Sequence, residues 1–95
     1  EAATAKTDTG NRNGHRYVMG VDLARTLDFT VVVILDITRV PYRMVYMDRF
    51  NQISWQVQVQ RIKAAVERFR VDQVVVDQTG VGDPVIEQLR RELAL

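Results

Sequence analysis

Two aspartates stand directly after short apolar segments, which is a costly place for an unpaired carboxylate. Asp22 follows the segment YVMGV, and Asp77 follows VVV. A charge at the end of a buried strand costs free energy unless water or an ion compensates it. Carboxylate oxygens select Mg²⁺ or Mn²⁺, and such ions hold phosphates and activate water for in-line attack. The pair is therefore a candidate divalent-metal site, although one such aspartate alone is more typical of a solvated strand end.

The segments around these aspartates predict strands in the first half of the chain. Residues 17–23 (YVMGVDL) form a short apolar run, and residues 29–37 (FTVVVILDI) are rich in β-branched side chains. Residues 40–50 alternate large apolar with polar side chains, which is typical of a third strand. The links between these segments are short, so the three strands are expected to form an antiparallel meander.

The period of the apolar residues changes after residue 50. One helical face is formed by residues spaced by four, three, four and three, namely Trp55, Val59, Ile62, Val66 and Phe69. Asn51 or Ser54 is expected to cap this helix. Residues 71–77 (VDQVVVD) predict a fourth strand, and Asp83-Pro84 predicts the start of a last helix.

The order β-β-β-α-β-α restricts how the fourth strand can pair. The helix before it acts as a crossover, so this strand cannot form a hairpin with the third strand. We expect it to lie parallel to the first strand, in a mixed α/β sheet of order 3-2-1-4. Asp22 and Asp77 would then end adjacent parallel strands at one edge of the sheet, where open α/β sheets bind ligands. The apolar fourth strand also favours a further neighbour, as in a domain truncated at its C-terminal side.

The composition restricts the class of protein. The chain has 95 residues, which fits one domain, and residues 1–15 form a polar stretch that predicts a flexible lead-in before a domain at 16–95. Thirteen basic and twelve acidic residues exclude a polybasic arm, and the absence of cysteine excludes disulfide and thiolate-zinc sites. No apolar run approaches the length of about 20 residues that a membrane span needs.

Other residues near the two aspartates could contact a phosphate. Thr79, Gly80 and Gly82 lie in a turn before the last helix, whose backbone N–H groups could face a phosphate or could simply shape a tight turn. Arg25 lies in the first predicted hairpin turn, where a solvated side chain is the more usual case. The bases of the third strand, Arg39, Arg43 and Arg49, have mixed parity, which argues against one basic stripe and favours protection of an edge strand.

Two segments resemble the nuclease domain of phage terminase large subunits, which has a ribonuclease H-like fold. They are GVDLARTLDFTVVVILD and VVVDQTGVGDPVIEQL. The family has an aspartate on its first strand, then a short Asp-x-Thr stretch, and later a strand that ends in Asp-x-Thr-Gly-x-Gly. In this chain these are Asp22, residues 28–30 (DFT) and residues 77–82 (DQTGVG). The resemblance covers about residues 17–95, and the later motif is the more specific one.

The resemblance implies a two-metal endonuclease. In it, Asp22 and Asp77 would be catalytic carboxylates that bind Mg²⁺ or Mn²⁺. The turn at 79–82, beside Asp77, would then flank bound DNA, and Arg25, in the predicted turn next to Asp22, could contact the scissile phosphate. The implied task is the cutting of concatemeric double-stranded DNA at the start and end of packaging. The family takes a third acidic ligand from the region after the second helix, and this chain ends at Leu95. We therefore expect the front part of a nuclease domain, with cleavage by the full-length protein rather than by this chain alone.

The resemblance also implies partners and a location. In the full protein these are an ATPase domain, the portal and the small terminase subunit, with no membrane, in the cytoplasm of the host cell. The chain itself carries no GxxxxGK[ST] loop of an ATPase. Two alternatives remain open at this stage. One is a nucleotide-binding ATPase or kinase-like fragment of the actin fold group, and the other is a non-catalytic assembly module that pairs through a sheet edge.

Overall fold

The computed structural model describes residues 10–23, 29–50, 54–77 and 83–93. The six elements follow the predicted order, β-β-β-α-β-α. The strands are β1 (Tyr17–Asp22), β2 (Thr30–Asp36), β3 (Arg43–Phe50) and β4 (Gln73–Asp77), and the helices are α1 (Trp55–Phe69) and α2 (Asp83–Leu93). Within these residues no helix is long and apolar enough to cross a membrane.

The four strands form one sheet in the order β3-β2-β1-β4, which confirms the predicted order 3-2-1-4. β1 pairs antiparallel with β2 and parallel with β4, and β2 pairs antiparallel with β3. α1 supplies the crossover that a parallel pair requires, because a hairpin joins only antiparallel strands. The two central strands are therefore β1 and β2, and β1 has a neighbour of each orientation.

One face of the sheet carries the hydrophobic core. Alternate residues of β1, namely Tyr17, Met19 and Val21, are almost completely buried, as are Val32 and Ile34 of β2. They pack against the apolar side of α1, and Leu89 of α2 joins the same core. This alternation follows from the period of two in a strand, which sends every second side chain to the same face.

α1 begins and ends with local interactions that satisfy its terminal backbone groups. The Ser54 hydroxyl accepts a hydrogen bond from the Val57 N–H at 3.2 Å, so Ser54 is the N-cap. At the other end Arg70 has left-handed backbone dihedrals and its N–H bonds the carbonyl of Val66. The aromatic ring of Phe69 contacts Tyr17 edge-on, with ring centroids 5.4 Å apart, and this contact joins the end of α1 to the start of β1.

The second face of the sheet, named here the open face, contacts neither described helix. Its residues alternate with those of the core and share a face by register. They are Val18, Gly20, Asp22, Val31, Val33, Leu35, Met44, Met47, Arg49, Gln73, Val75 and Asp77. Its apolar side chains are half-buried or exposed, and Val75 retains 59% of its surface. The open face is therefore apolar at its centre and charged along one border.

All four strands are shorter than the sequence predicts, and the largest differences are at the starts of β3 and β4. β3 begins at Arg43 rather than at residue 40, because Val40 is 86% exposed and Pro41 cannot donate to a ladder. A register shift opposite Ile34 and Leu35 adds one residue to β3 there. β4 begins at Gln73, because Asp72 instead accepts a hydrogen bond from the Tyr17 N–H at 3.1 Å.

Residues 10–16, most of which the sequence assigns to the lead-in, are hydrogen-bonded to the domain. The Asn11 N–H bonds the carbonyl of Arg68 at 3.1 Å, and its side-chain amide bonds that of Phe69 at 2.5 Å. The Arg12 N–H bonds the hydroxyl of Tyr17 at 3.0 Å. The two bonds of Asn11 satisfy backbone carbonyls that have no hydrogen-bond partner within α1. Residues 1–9 lie outside the described residues, and a flexible lead-in over 1–15 with a boundary at residue 16 stays a prediction.

A polar cluster closes the end of the sheet opposite the two aspartates. Asp36 is 5% exposed and accepts bonds from the N–H and hydroxyl of Thr38 and from His15 Nδ1 at 2.6 Å. The guanidinium of Arg43 lies 3.7 Å from the Asp36 carboxylate. Burial alone would raise the pKa of Asp36, but the hydrogen bonds of Thr38 and His15 favour the charged form and lower the pKa from 3.8 to about 2.

This depressed pKa predicts an acid-sensitive contribution to stability. The contribution is fully present above the ordinary pKa of 3.8 and is lost as the pH falls toward about 2, where Asp36 becomes protonated in the folded chain. The free energy of unfolding should fall by about 2 kcal/mol over this window on account of Asp36. Urea unfolding at a series of pH values would measure the loss. Asp36→Asn should flatten it, whereas Glu67→Gln, at an exposed site on α1, should not. An unchanged acid slope in Asp36→Asn would contradict the assignment.

Candidate active site

The two aspartates are direct neighbours across the parallel pair. β1 ends at Asp22 and β4 ends at Asp77, and the register pairs these two residues with each other. Paired residues of adjacent strands point to the same face, and neighbouring strands lie about 4.8 Å apart. Both aspartates therefore project from the open face at the carboxyl ends of their strands. The sequence prediction that they meet at one edge is confirmed.

Both aspartates are exposed residues of the sheet surface. Two like charges on adjacent strands repel each other unless a cation lies between them. Oxygen ligands from two carboxylates suit a hard divalent cation, which completes its coordination with water or substrate oxygens. The donor set thus fits Mg²⁺ or Mn²⁺, and nothing about it suits a soft metal.

The described residues do not supply a third ligand. Within residues 10–23, 29–50, 54–77 and 83–93, no group of three histidine, cysteine or acidic side chains could hold a metal ion. The sequence also singled out Arg25, Thr79, Gly80 and Gly82 as contacts for DNA. These four residues lie outside the described residues, so their proposed roles stay predictions.

The register places a basic residue in line with the two aspartates. Asp77 pairs with Asp22, Asp22 pairs with Val31, and Val31 pairs with Arg49. These four residues, named here the aspartate row, cross the open face from β4 to β3. Arg49 is exposed, and its guanidinium carbon lies 4.0 Å from the centre of the Phe29 ring. The sequence predicts that Arg39, Arg43 and Arg49 protect an edge strand, and β3 is an edge strand of the sheet.

The other two arginines of that group lie elsewhere. Arg39 belongs to the exposed connection between β2 and β3, and Arg43 reaches the Asp36 cluster at the far end of the sheet. One feature of the sequence could have identified Arg49. It directly precedes Phe50, the apolar last residue of β3, so its side chain must point to the face opposite that of Phe50. That signal becomes usable only when the pairing of β3 with β2 is known.

A groove of about 580 Å³ lies between the outer side of β4 and α2, away from the aspartate row. Its apolar lining comes from Val74, Val76, Ile86, Leu89 and Leu93. Val74 and Val76 have the opposite parity to Asp77, so the groove is on the helix side of the sheet. The groove and the two carboxylates are therefore separate features.

Comparison with protein families gives one match over most of the chain. Residues 19–95 match the family model described as the terminase RNaseH-like domain. The large terminase subunit of Thermus virus P23-45 is 36% identical over 78 residues, which are 82% of this chain and 16% of that protein. The chain thus spans about one sixth of the length of this curated relative.

Solved structures show the same likeness. The large terminase nuclease of the thermophilic phage G20c superposes with a TM-score of 0.74 at 32% identity, over 87% of this chain and 43% of that one. The same nuclease has been solved with bound magnesium, zinc and cobalt. The PPX-GPPA enzyme of Aquifex aeolicus has a TM-score of 0.57 at 12% identity, which is a likeness of fold alone.

The adjacent carboxylates predict a small gain in stability when one charge is removed. In metal-free buffer at low ionic strength, Asp22→Asn should raise the free energy of unfolding by up to about 0.5 kcal/mol, because it relieves repulsion across the strand pair. The gain should disappear at high salt, which screens exposed charges. Thermal unfolding over a series of salt concentrations would measure the gain at low salt and its loss at high salt. Glu67→Gln is the control, because it removes a distant exposed charge. Destabilisation by Asp22→Asn at every salt concentration would contradict the prediction.

Proposed function

Since the chain belongs to the terminase RNaseH-like domain family, we propose that it forms part of a metal-dependent endonuclease domain that cuts double-stranded DNA. The observation that carries this proposal is the register of Asp22 with Asp77 across the parallel pair of β1 and β4. That pairing brings two exposed aspartates to one border of the open face. A nuclease that is similar over 87% of this chain has been solved with bound magnesium, which supports the choice of ion.

Asp22 and Asp77 are the residues of this chain that would hold Mg²⁺ or Mn²⁺. When bound, a divalent ion would stabilise charge on a phosphodiester and lower the pKa of the attacking water. The chain contributes the placement of the two carboxylates, which β-sheet hydrogen bonds hold more rigidly than a loop would. The core under β1 supports this placement, because Val21, the residue before Asp22, is 4% exposed.

The wider assembly follows from the family as a proposal. The substrate would be concatemeric double-stranded DNA, cut at the start and end of packaging. The partners would be an ATPase domain in the same protein, the portal and the small terminase subunit, in the cytoplasm of the host cell. The chain spans 43% of the similar nuclease, so we propose that residues outside this chain complete the site and that cleavage belongs to the longer protein.

Calorimetric titration with Mn²⁺ tests the proposal without requiring cleavage. The chain should bind Mn²⁺, and Asp22→Asn and Asp77→Asn should each weaken binding by at least roughly tenfold, because each replaces a charged carboxylate by a neutral amide, which is a poorer ligand for a hard cation. Glu67→Gln is the matched control, since it removes one exposed carboxylate on α1 and should leave binding unchanged. Circular dichroism of each variant confirms that the comparison is made between folded chains.

Three results would overturn the proposal. The first is an equal Mn²⁺ affinity of the unchanged chain and its Asp22→Asn, Asp77→Asn and Glu67→Gln variants. The second is that neither the folded chain nor a longer protein containing it binds Mn²⁺. The third is ATP binding that survives Asp77→Asn. The last would favour the kinase-like alternative. Concentration-dependent dimerisation without any metal binding would favour the assembly module instead.

A further inference from the structure

We infer that Arg49, supported by Phe29, binds a backbone phosphate of the DNA whose cleaved bond lies at Asp22 and Asp77. This inference rests on the proposed function and names a substrate contact for the same site. It begins with the aspartate row, in which Arg49 is separated from Asp22 by one residue of β2, Val31.

The register brings Arg49 to the face that carries the two carboxylates. Asp48, its neighbour in sequence, points to the other face and accepts three hydrogen bonds from Arg61 of α1, the shortest at 2.8 Å. Arg49 makes no ion pair within the described part of the chain, and its guanidinium contacts the Phe29 ring instead. Its hydrogen-bond donors are therefore available to an anion at the surface.

The support from Phe29 gives the guanidinium a defined position. The cation lies over the ring at 4.0 Å, and Phe29 is 42% exposed, so the pair stands at the surface. An arginine stacked in this way keeps the donors at its edge free, and their fork matches the oxygens of a phosphate. Ring contact also reduces the conformational entropy that the long side chain loses on binding.

A basic side chain on this face would favour the binding of a polyanion. The two aspartates repel a polyanion, and Arg49 is the basic residue among the described strand residues of the open face. Two strand spacings separate its backbone from that of Asp22, about 10 Å. Successive phosphates of one DNA strand lie further apart than the axial rise of about 3.4 Å per nucleotide, because the backbone also winds around the axis. A phosphate held at Arg49 would thus be a close neighbour, along the strand, of one held at the aspartates.

The test measures binding of a short DNA duplex over a series of salt concentrations. Each neutralised phosphate contributes about 0.9 to the slope of log affinity against log salt. Arg49→Gln should lower this slope by about 0.9 and weaken binding roughly three- to tenfold at low salt. Arg39→Gln removes the same charge from an exposed site at the far end of the sheet and should leave both quantities unchanged.

Two further variants separate contact with phosphate from a structural role. Arg49→Lys keeps the charge and should keep the slope. Phe29→Leu removes the ring contact of Arg49, so it should weaken binding by about two- to fivefold. Because this variant keeps the charge of Arg49, the salt slope should not change. Duplexes that carry one neutral methylphosphonate then locate the contact. One position should weaken binding by the wild-type chain but not by Arg49→Gln.

The two proposals can fail separately. The same titrations in an Asp22→Asn/Asp77→Asn background remove the metal site while leaving Arg49 in place, and the loss of slope in Arg49→Gln should persist there. A slope that is equal in wild type, Arg49→Gln and Arg39→Gln would overturn the inference, even if both aspartates prove to bind Mn²⁺. No DNA binding by the folded chain at low salt would overturn it as well.

Discussion

The parallel pairing of β1 with β4 is the constraint on which the rest of this structure depends. Parallel strands cannot be joined by a tight turn, so the chain must cross one face of the sheet before β4 can form. α1 makes that crossing, and its apolar side buries the alternate residues of β1 and β2. The same packing that stabilises the fold thus determines which strand lies beside β1, and hence which residue lies beside Asp22.

The two faces of the sheet have different physical roles because the described helices pack against the core face. The covered face contains large buried side chains, including Tyr17, Met19 and Ile34. The open face keeps Asp22 and Asp77 at the border where β1 and β4 end, and both residues are exposed. Placing like charges together costs stability, and a protein that retains such an arrangement commonly uses it for binding or chemistry. The proposed metal site would account for the retention of two adjacent aspartates in spite of their repulsion.

Much of this architecture follows from the sequence because the local patterns are strong. The β-branched runs, the four-three spacing after Trp55 and the crossover rule together predict six elements and the sheet order. The motif at residues 77–82 separately indicates the family. Other features depend on contacts between distant segments and were not predicted. Examples are the shortened start of β3, the hydrogen bonds of Asn11 to the end of α1, and the cluster of His15 and Thr38 around Asp36.

The sequence by itself determined the types of the elements, their order and the aspartates that end two of them, since these depend on periodicity within a few turns or strand residues. The tertiary structure decided which side chains share a row across the sheet. Arg49 is 27 positions from Asp22 and 28 from Asp77 in the printed sequence, and no local pattern relates them. Their alignment depends on hydrogen-bond registers across three strand pairs, and a slip of one residue in any of them would send a side chain to the opposite face.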